Sequence, residues 1–366
     1  MVSNTPQTVG QKAIAAGGCE LRALAELSTF LGRQKLLVQA STGNTSIKIG
    51  STLWIKASGK WLANAAAEEV FVPVDRAEAS RYMSGTLPDS TNGSGLKPSI
   101  ETAMHLILPH RVVVHIHSIS AIAWAVQRKG ADLVHERMGA FRWSWIPYAS
   151  SGGPLAAKMR AALQSSPNVF ILANHGLVVG ADSCEEAKQR LQEVEERLAI
   201  AARPVPEPDL ASLEQLARAS NLKLPDTELI HSLATDEFST ALVSRGILYP
   251  CQAIFLGRQT AVFEHRDFLL RFPKEYQNEN GFRQPAVLIK GRGALVAKDL
   301  TRSESEMLIG LSQVARRLGS DAQIAYLSER NVDELLDNCV YGDAQPSLKL
   351  TASAASARCD DSSKTA

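Results

Sequence analysis

Three prolines within residues 203–209 constrain the fold more than any other feature, because they end a long helical pattern. Proline lacks a backbone N–H and its ring clashes with the preceding helical turn, so an α-helix cannot run through this segment. The chain has 366 residues, and at roughly 150 residues per domain this length indicates two domains. We therefore predict one domain over residues 1–203 and a smaller one over residues 210–345. Residues 346–366 are small and polar, and we expect them to be disordered.

The charge balance limits the classes of partner. The chain carries 39 Lys and Arg against 38 Asp and Glu, a net charge of +1, so it has no overall field for nucleic acid or an anionic membrane. No window approaches the roughly 18–20 apolar residues of a membrane span, and the N-terminus lacks a secretory apolar core. The five cysteines form no CxxC pair, which argues against a disulfide framework or a cysteine metal site. We expect a cytoplasmic protein that acts on a small molecule, without nucleic acid or membrane partners.

Apolar residues alternate between helical and strand spacing, which predicts an α/β or α+β fold with a central sheet covered by helices. In the first domain, helices are predicted at 21–31, 99–108, 154–163 and 184–201, and strands at 44–49, 52–57, 70–74, 112–117 and 169–173. In the second, helices are predicted near 210–220, 226–234 and 304–318, and strands near 253–256, 261–263, 287–290 and 294–297. The second domain is therefore predicted to be a smaller α/β module.

The segment Arg-Val-Val-Val-His-Ile-His-Ser, residues 111–118, is the most informative stretch. On a strand, His115 and His117 point to one face while Val114 and Ile116 enter the opposite apolar layer. Two imidazoles on one face suit zinc, which takes three protein ligands in a catalytic site. His175, in Asn-His-Gly after an apolar run, is the best third ligand. The alternative interpretation is a strand of hydrogen-bonded structural histidines.

A glutamate lies shortly before the histidine strand. Pro98 and Ser99 predict a helix start, which places Glu101 in the first turn, where the helix dipole favours a carboxylate. Glu101 is then either a helix-start residue or a group that folds back towards the metal and handles a proton. His105 lies one turn further on the same face and is interpreted as a structural histidine.

Glycine turns at 42–48 and 57–62 place Gly beside hydroxyl and amide residues. Such turns can direct backbone N–H groups at phosphate or carboxylate oxygens, although most only reverse the chain. The cluster Lys-Gly-Arg-Gly at 290–293 is interpreted as a hairpin turn without a functional role.

Six short motifs together carry a resemblance to a known family. They are Gly-Asn-Thr-Ser-Ile-Lys (43–48), Ala-Ser-Gly (57–59), Pro-Ser-Ile-Glu (98–101), His-Ile-His (115–117), Ile-Pro-Tyr-Ala (146–149) and Asn-His-Gly (174–176). In this order and spacing the chain, over roughly residues 15–202, resembles the class II aldolase/adducin family. The resemblance implies a three-layer α/β/α domain with a central mixed or antiparallel sheet.

The resemblance to L-fuculose-phosphate and L-rhamnulose-phosphate aldolases implies roles for individual residues. His115, His117 and His175 would hold a divalent metal, most often Zn²⁺, with Mn²⁺, Co²⁺ and Mg²⁺ as other candidates, and Glu101 would be the catalytic acid/base. The implied substrate-binding residues are Gly43, Asn44, Ser58, Gly59 and Ser99. Ile100 stands where these aldolases have a second hydroxyl residue, which weakens the expectation of a phosphorylated substrate.

The implied activity is that of a lyase. A metal-dependent class II aldolase would cleave or form a carbon–carbon bond in a ketose phosphate or related hydroxy-keto compound through a metal-stabilised enediolate. Proton transfer by Glu101 would favour a raised pKa. The alternatives are a 4-epimerase, a keto-acid decarboxylase and a non-catalytic adducin-like interaction module. The resemblance also implies a homo-oligomer, either a tetramer or a dimer, but no residue matches the mobile tyrosine that some family members contribute from a neighbouring subunit.

Overall fold

The structure is a computed structural model that describes residues 9–85, 95–268 and 284–337, with side chains from residue 18 onward. The chain divides into two compact units, Met1–Ile200 and Ala201–Ala366. The predicted disordered tail, 346–366, lies outside the described residues. Within the described part of the chain, no helix is both long enough and apolar enough to cross a membrane.

The first unit is built on a seven-stranded sheet. Its strands are β1 (Asn44–Ile49), β2 (Thr52–Lys56), β3 (Phe71–Asp75), β4 (Val112–Ile116), β5 (Trp143–Ile146), β6 (Val169–Leu172) and β7 (Gly176–Ala181). Its helices are α1 (Val9–Gly32), α2 (Ala79–Met83), α3 (Thr102–Ile107), α4 (Ile119–Ala125), α5 (Gly130–Met138), α6 (Gly153–Ala162) and α7 (Cys184–Leu198). The strand order is β3-β2-β1-β4-β7-β6-β5. Only β5 and β6 pair in parallel among these neighbours, so the sheet is mixed, one of the two arrangements that the resemblance implied.

Helices cover both faces of this sheet. On one face, Val112, Val114 and Ile116 of β4 belong to a core shared with α1, α4, α5 and α7. On the other face, Val113 packs with side chains of α3 and α6, and α2 joins α3 and α6 over β2 and β3. The three-layer α/β/α architecture is therefore confirmed. The side-chain alternation along β4 leaves His115 on the α3 and α6 side.

In the first unit, two predicted helix ends were misplaced and two strands were missed. The helix predicted at 99–108 begins only at Thr102, because the carbonyl of Ser99 closes a turn with the N–H of Thr102 at 3.0 Å. Helix α7 ends at Leu198 rather than at 201. Strands β5 and β7 were not predicted: β5 has only four residues, and β7 begins at a glycine with another near its end, which favoured a turn.

The second unit combines a four-stranded sheet, in the order β8-β11-β10-β9, with helices. Its elements are α8 (Leu210–Arg218), β8 (Leu222–Lys223), α9 (Ser232–Thr235), α10 (Glu237–Arg245), α11 (Pro250–Leu256), β9 (Ala261–Phe263), β10 (Ala286–Ile289), β11 (Gly293–Ala297), α12 (Arg302–Ala315) and α13 (Glu329–Asp337). Strands β10 and β11 are antiparallel and pair Ile289 with Gly293, so the hairpin turn at 290–293 is confirmed.

Two predictions for the second unit need correction. The strand predicted at 253–256 is part of helix α11, because Pro250 at its first position favours a helix start and a short apolar run fits either structure. The helix predicted at 226–234 is instead a 3₁₀ turn, Glu228–His231, followed by the short helix α9.

Candidate metal centre

The three candidate ligands meet at the ends of central strands of the seven-stranded sheet. His115 lies in β4, His117 directly after it, and His175 in the turn between β6 and β7. Strands β4 and β7 are antiparallel neighbours that pair Ile116 with Leu177, so the end of β4 adjoins the turn before β7. The three imidazole rings have centroids 4.9–5.1 Å apart.

The donor set fits a divalent metal. One ligand nitrogen from each ring lies within 4.8 Å of the others, and Nε2 of His115 is 3.2 Å from Nε2 of His117. Two nitrogens bound at about 2.0–2.1 Å to one tetrahedral zinc lie about 3.3 Å apart. His115 uses Nδ1 to donate a hydrogen bond to the carbonyl of Leu177 at 3.1 Å, so Nε2 is the nitrogen available to a metal.

Burial keeps two of these rings neutral. Desolvation lowers the pKa of His117 well below its ordinary value and that of His175 to about 4. Neutral imidazole is the form that binds metal. Within the described residues, the side chains placed closely enough to share one metal ion are His115, His117 and His175.

Glu101 points into the histidine cluster. Its Oε2 lies 3.3 Å from Nε2 of His115 and its Oε1 lies 3.4 Å from Nε2 of His175. The side chain makes no capping hydrogen bond to helix α3. Asn44 donates to Oε2 at 2.8 Å and Ser151 donates to Oε1 at 3.2 Å. Of the two interpretations made from sequence, this geometry favours the carboxylate that faces the metal ligands.

The direction of the Glu101 pKa shift differs from the expectation. Burial raises the pKa, but His115, His175 and the hydrogen bond from Asn44 oppose it, and the net effect lowers the pKa below its ordinary value. The expected raised pKa is therefore wrong for this arrangement. A carboxylate held by hydrogen-bond donors remains ionised.

Asn44 and Ser99 lie beside this carboxylate. Asn44 begins β1 opposite His115 in β4, and its Nδ2 donates to Ser99 Oγ at 3.1 Å. The Ser99 hydroxyl also accepts the backbone N–H of Glu101 at 3.2 Å. The side chain of His105 is fully buried and contacts Asn44 and Ser46 through its two ring nitrogens. A satisfied, non-ligating His105 agrees with the interpretation from sequence.

The glycine turns occupy different positions around the site. Gly43 has φ +66°, and a Cβ there would lie 2.8 Å from the carbonyl oxygen of His115. The backbone N–H of Ser58 donates to the carbonyl of Lys97 at 2.9 Å, so only its hydroxyl could serve a ligand. Gly59 has φ +74° and open space around it. The structure thus brings Asn44, Ser99 and Glu101 together with the histidines. For Ser58, the hydrogen bond described is the one to Lys97, which lies outside this group.

Sequence reasoning missed two residues near the site. Ser151, before α6, donates to Glu101, and no motif distinguished it from Ser150. Lys56, at the end of β2, is buried and donates from Nζ to the carbonyl of Ser41 at 2.9 Å. Burial lowers its pKa to about 7 although Glu101 opposes the shift. The available signal was a lysine on a predicted strand, directly before the Ala-Ser-Gly motif.

The fold and the histidine centre agree with a family comparison. The family model described as Class II Aldolase and Adducin N-terminal domain matches residues 22–202. This N-terminal half of the chain therefore belongs to the class II aldolase and adducin family. Class II aldolases use a divalent metal.

Two curated relatives match part of the chain. "Uncharacterized oxidoreductase YuxG" of Bacillus subtilis is 25% identical over 197 residues, which cover 46% of this chain and 28% of that protein. "3-oxo-tetronate 4-phosphate decarboxylase" of Escherichia coli is 35% identical over 117 residues, which cover 28% of this chain and 54% of that protein. The chain thus spans 28% to 54% of the length of these curated relatives.

Solved structures with similar folds were also found. The N-terminal class II aldolase domain of a conserved protein from Thermoplasma acidophilum is 20% identical with a TM-score of 0.42, and the match covers 54% of this chain and 95% of that one. L-fuculose-1-phosphate aldolase from Thermus thermophilus is 18% identical with a TM-score of 0.36, over 49% of this chain and 91% of that one.

Proposed function

We propose that this chain is a metal-dependent class II aldolase, a lyase that cleaves or forms a carbon–carbon bond in a ketose phosphate or related hydroxy-keto compound. The observation that carries this proposal is the convergence of three buried histidines on one point with the Glu101 carboxylate 3.3–3.4 Å from two of them. An adducin-like module without chemistry would not need this donor set. Membership of the family makes the aldol reaction class the first one to test.

His115, His117 and His175 would hold the metal, and three imidazole ligands favour Zn²⁺ over the harder Mg²⁺. When bound, the ion would stabilise negative charge that develops on substrate oxygens during bond cleavage. Three protein ligands leave a coordination position for those oxygens.

Glu101 is proposed as the acid/base. Cleavage beside a ketone leaves an enediolate, whose carbon must gain a proton to release a product. Glu101 is buried against the histidines, and both of its oxygens accept a hydrogen bond from a neutral donor, Asn44 or Ser151. These donors orient the carboxylate without neutralising it, so it can accept and return a proton.

Substrate binding is assigned to the polar groups around this carboxylate. Ser99 would donate its hydroxyl proton to the far end of the substrate, and Asn44 would donate there in exchange for its hydrogen bond to Ser99, together with the turns that contain Gly43, Ser58 and Gly59. Burial lowers the pKa of the Lys56 amine to about 7, and the nearby Glu101 carboxylate opposes this shift and so favours the charged form.

Decarboxylation of a keto acid is the second candidate. It is favoured by the 35% identity to 3-oxo-tetronate 4-phosphate decarboxylase over 117 residues. Loss of carbon dioxide from a β-keto acid also leaves an enolate that needs charge stabilisation and a proton, so the same residues would serve. The two reactions differ in the product released, an aldehyde or carbon dioxide. Zinc as the metal, the sugar-phosphate substrate and a homo-oligomeric assembly remain proposals.

The first experiment measures metal content per chain by inductively coupled plasma mass spectrometry for the wild type and His117→Ala. We expect near-stoichiometric zinc or manganese in the wild type and its loss in the variant. The loaded protein is then assayed with ketose 1-phosphates for aldehyde release and with 3-keto acid phosphates for carbon dioxide release. Absence of any divalent metal after reconstitution with zinc would overturn the aldolase and decarboxylase proposals together.

A further inference from the structure

We propose that His105 is a positioning residue that fixes the direction of the Asn44 amide and, through it, the Glu101 carboxylate. The catalytic consequence rests on the proposed function, whereas the hydrogen-bond chain itself does not. His105 binds no metal in this assignment and touches no substrate. Its role goes beyond that of a core histidine with satisfied hydrogen bonds, because Asn44 and Glu101, to which it is linked by hydrogen bonds, belong to the candidate site.

The contacts form a continuous chain of buried polar groups. The Nδ1 atom of His105 lies 2.7 Å from Ser46 Oγ, and its Nε2 atom lies 2.5 Å from Asn44 Oδ1. The amide nitrogen of Asn44 then donates to Glu101 Oε2 at 2.8 Å. Ser46 and His105 are both 0% exposed. The end of this hydrogen-bond network that lies away from the three metal-ligand histidines is therefore closed to water.

The chemistry of the groups determines the direction of each hydrogen bond. The Asn44 amide nitrogen faces Glu101 Oε2, and an amide N–H can only donate, so the carboxylate oxygen accepts. The Asn44 carbonyl oxygen then faces His105 and requires a donor, which makes Nε2 the protonated nitrogen of the neutral ring. Nδ1 is left as an acceptor, and Ser46 donates its hydroxyl proton to it. One tautomer of His105 therefore matches one orientation of the Asn44 amide.

Removal of this donor would release the amide. Asn44 could rotate by half a turn and present its carbonyl oxygen to the Glu101 carboxylate, which would repel it. Glu101 would lose its shorter hydrogen bond and its defined position against His115. A displacement of about 1 Å in a catalytic group can cost about a hundredfold in rate.

A matched set of variants tests the functional part. His105→Met keeps an unbranched side chain without a donor, while His105→Gln can place an amide N–H near the position of Nε2. We expect His105→Met to lower kcat about tenfold to a hundredfold with little change in KM or metal content, and His105→Gln to recover most of the loss. His231→Gln, which replaces a buried, hydrogen-bonded histidine of the second unit, is the control and should leave kcat unchanged.

A double-mutant cycle separates positioning from a general loss of structure. If His105 acts through Asn44, His105→Met should cost little further kcat in an Asn44→Ala background. Fully additive losses, or failure of His105→Gln to recover activity while it retains the fold and the metal, would overturn the positioning role.

The tautomer provides a readout that does not depend on activity. In ¹⁵N-labelled wild-type protein, the ring signals of His105 are identified by their absence from the spectrum of His105→Gln. We expect a protonated Nε2 and an unprotonated Nδ1. A protonated Nδ1 would overturn the hydrogen-bond chain even in a protein that cleaves the substrate. If the tautomer is the expected one but the protein is inactive on every substrate, the hydrogen-bond network is supported and only the proposed function is contradicted.

Discussion

Asn44 donates a 2.8 Å hydrogen bond to Glu101 across 57 residues of sequence. Asn44 is the first residue of β1, and Glu101 directly precedes α3. The carboxylate is therefore held by the sheet as well as by its own turn. This arrangement explains why Glu101 faces the histidines rather than the N–H groups of α3.

Glu101→Gln should separate metal binding from turnover. The substitution keeps the size of the side chain and removes its ability to accept a proton, while His115, His117 and His175 remain in place. We expect metal content equal to that of the wild type and a kcat lower by about 10²–10⁴. Steady-state kinetics and metal analysis on the same preparation measure both. Full activity in this variant would mean that another group is the base.

Asn44→Ala should cost more than Ser151→Ala. Both residues donate to Glu101, but Asn44 is fully buried with a 2.8 Å contact, whereas the contact from Ser151 is partly buried and 3.2 Å long. A hydrogen bond to a charged group contributes about 1.5–3 kcal/mol, so we expect kcat to fall about tenfold to a hundredfold for Asn44→Ala.

For Ser151→Ala we expect a loss of less than about tenfold, since water can replace a partly exposed hydroxyl. Metal content serves as the control for both variants. Equal losses, or a larger one for Ser151→Ala, would show that Glu101 is oriented mainly from the α6 side.

Gly43→Ala should destabilise the protein more than Gly50→Ala. Both glycines have positive φ, +66° and +58°, but a Cβ at Gly43 would lie 2.8 Å from the His115 carbonyl oxygen whereas the space around Gly50 is open. Left-handed backbone costs a non-glycine residue about 1–2 kcal/mol, and Gly43→Ala adds displacement of β4. We expect a clearly lower thermal midpoint for Gly43→Ala, measured by calorimetry, and a smaller decrease for Gly50→Ala. Equal decreases would mean that β4 moves away at little cost.

The parts of the site within reach of sequence reasoning were those set by local periodicity. Two-residue alternation placed His115 and His117 on one face, and the apolar run before Asn174 placed His175 at a strand end. The link from His105 to Asn44 was out of reach, because it depends on how α3 packs against β1 across 61 residues. Residues 253–256 were assigned to a strand, since a buried helix of seven residues has the same apolar content.

Stability should fall with rising pH because of Glu195 in α7. Its Oε1 is buried without a hydrogen-bond partner, and burial raises its pKa to about 7 although Ser118 opposes the shift.

The folded state therefore retains a proton between about pH 4.5 and 7 that the unfolded state has lost, so the stabilisation present below pH 4.5 disappears across this range. Glu195→Gln removes this dependence and should raise the free energy of unfolding by roughly 1–3 kcal/mol at pH 8, with little change at pH 4. Urea unfolding at both pH values measures the difference. Glu196→Gln changes an exposed neighbour on the same helix and is the control. A Glu195→Gln effect that is equal at both pH values would show that the carboxyl group titrates normally, with solvent reaching it between α7 and the start of α4.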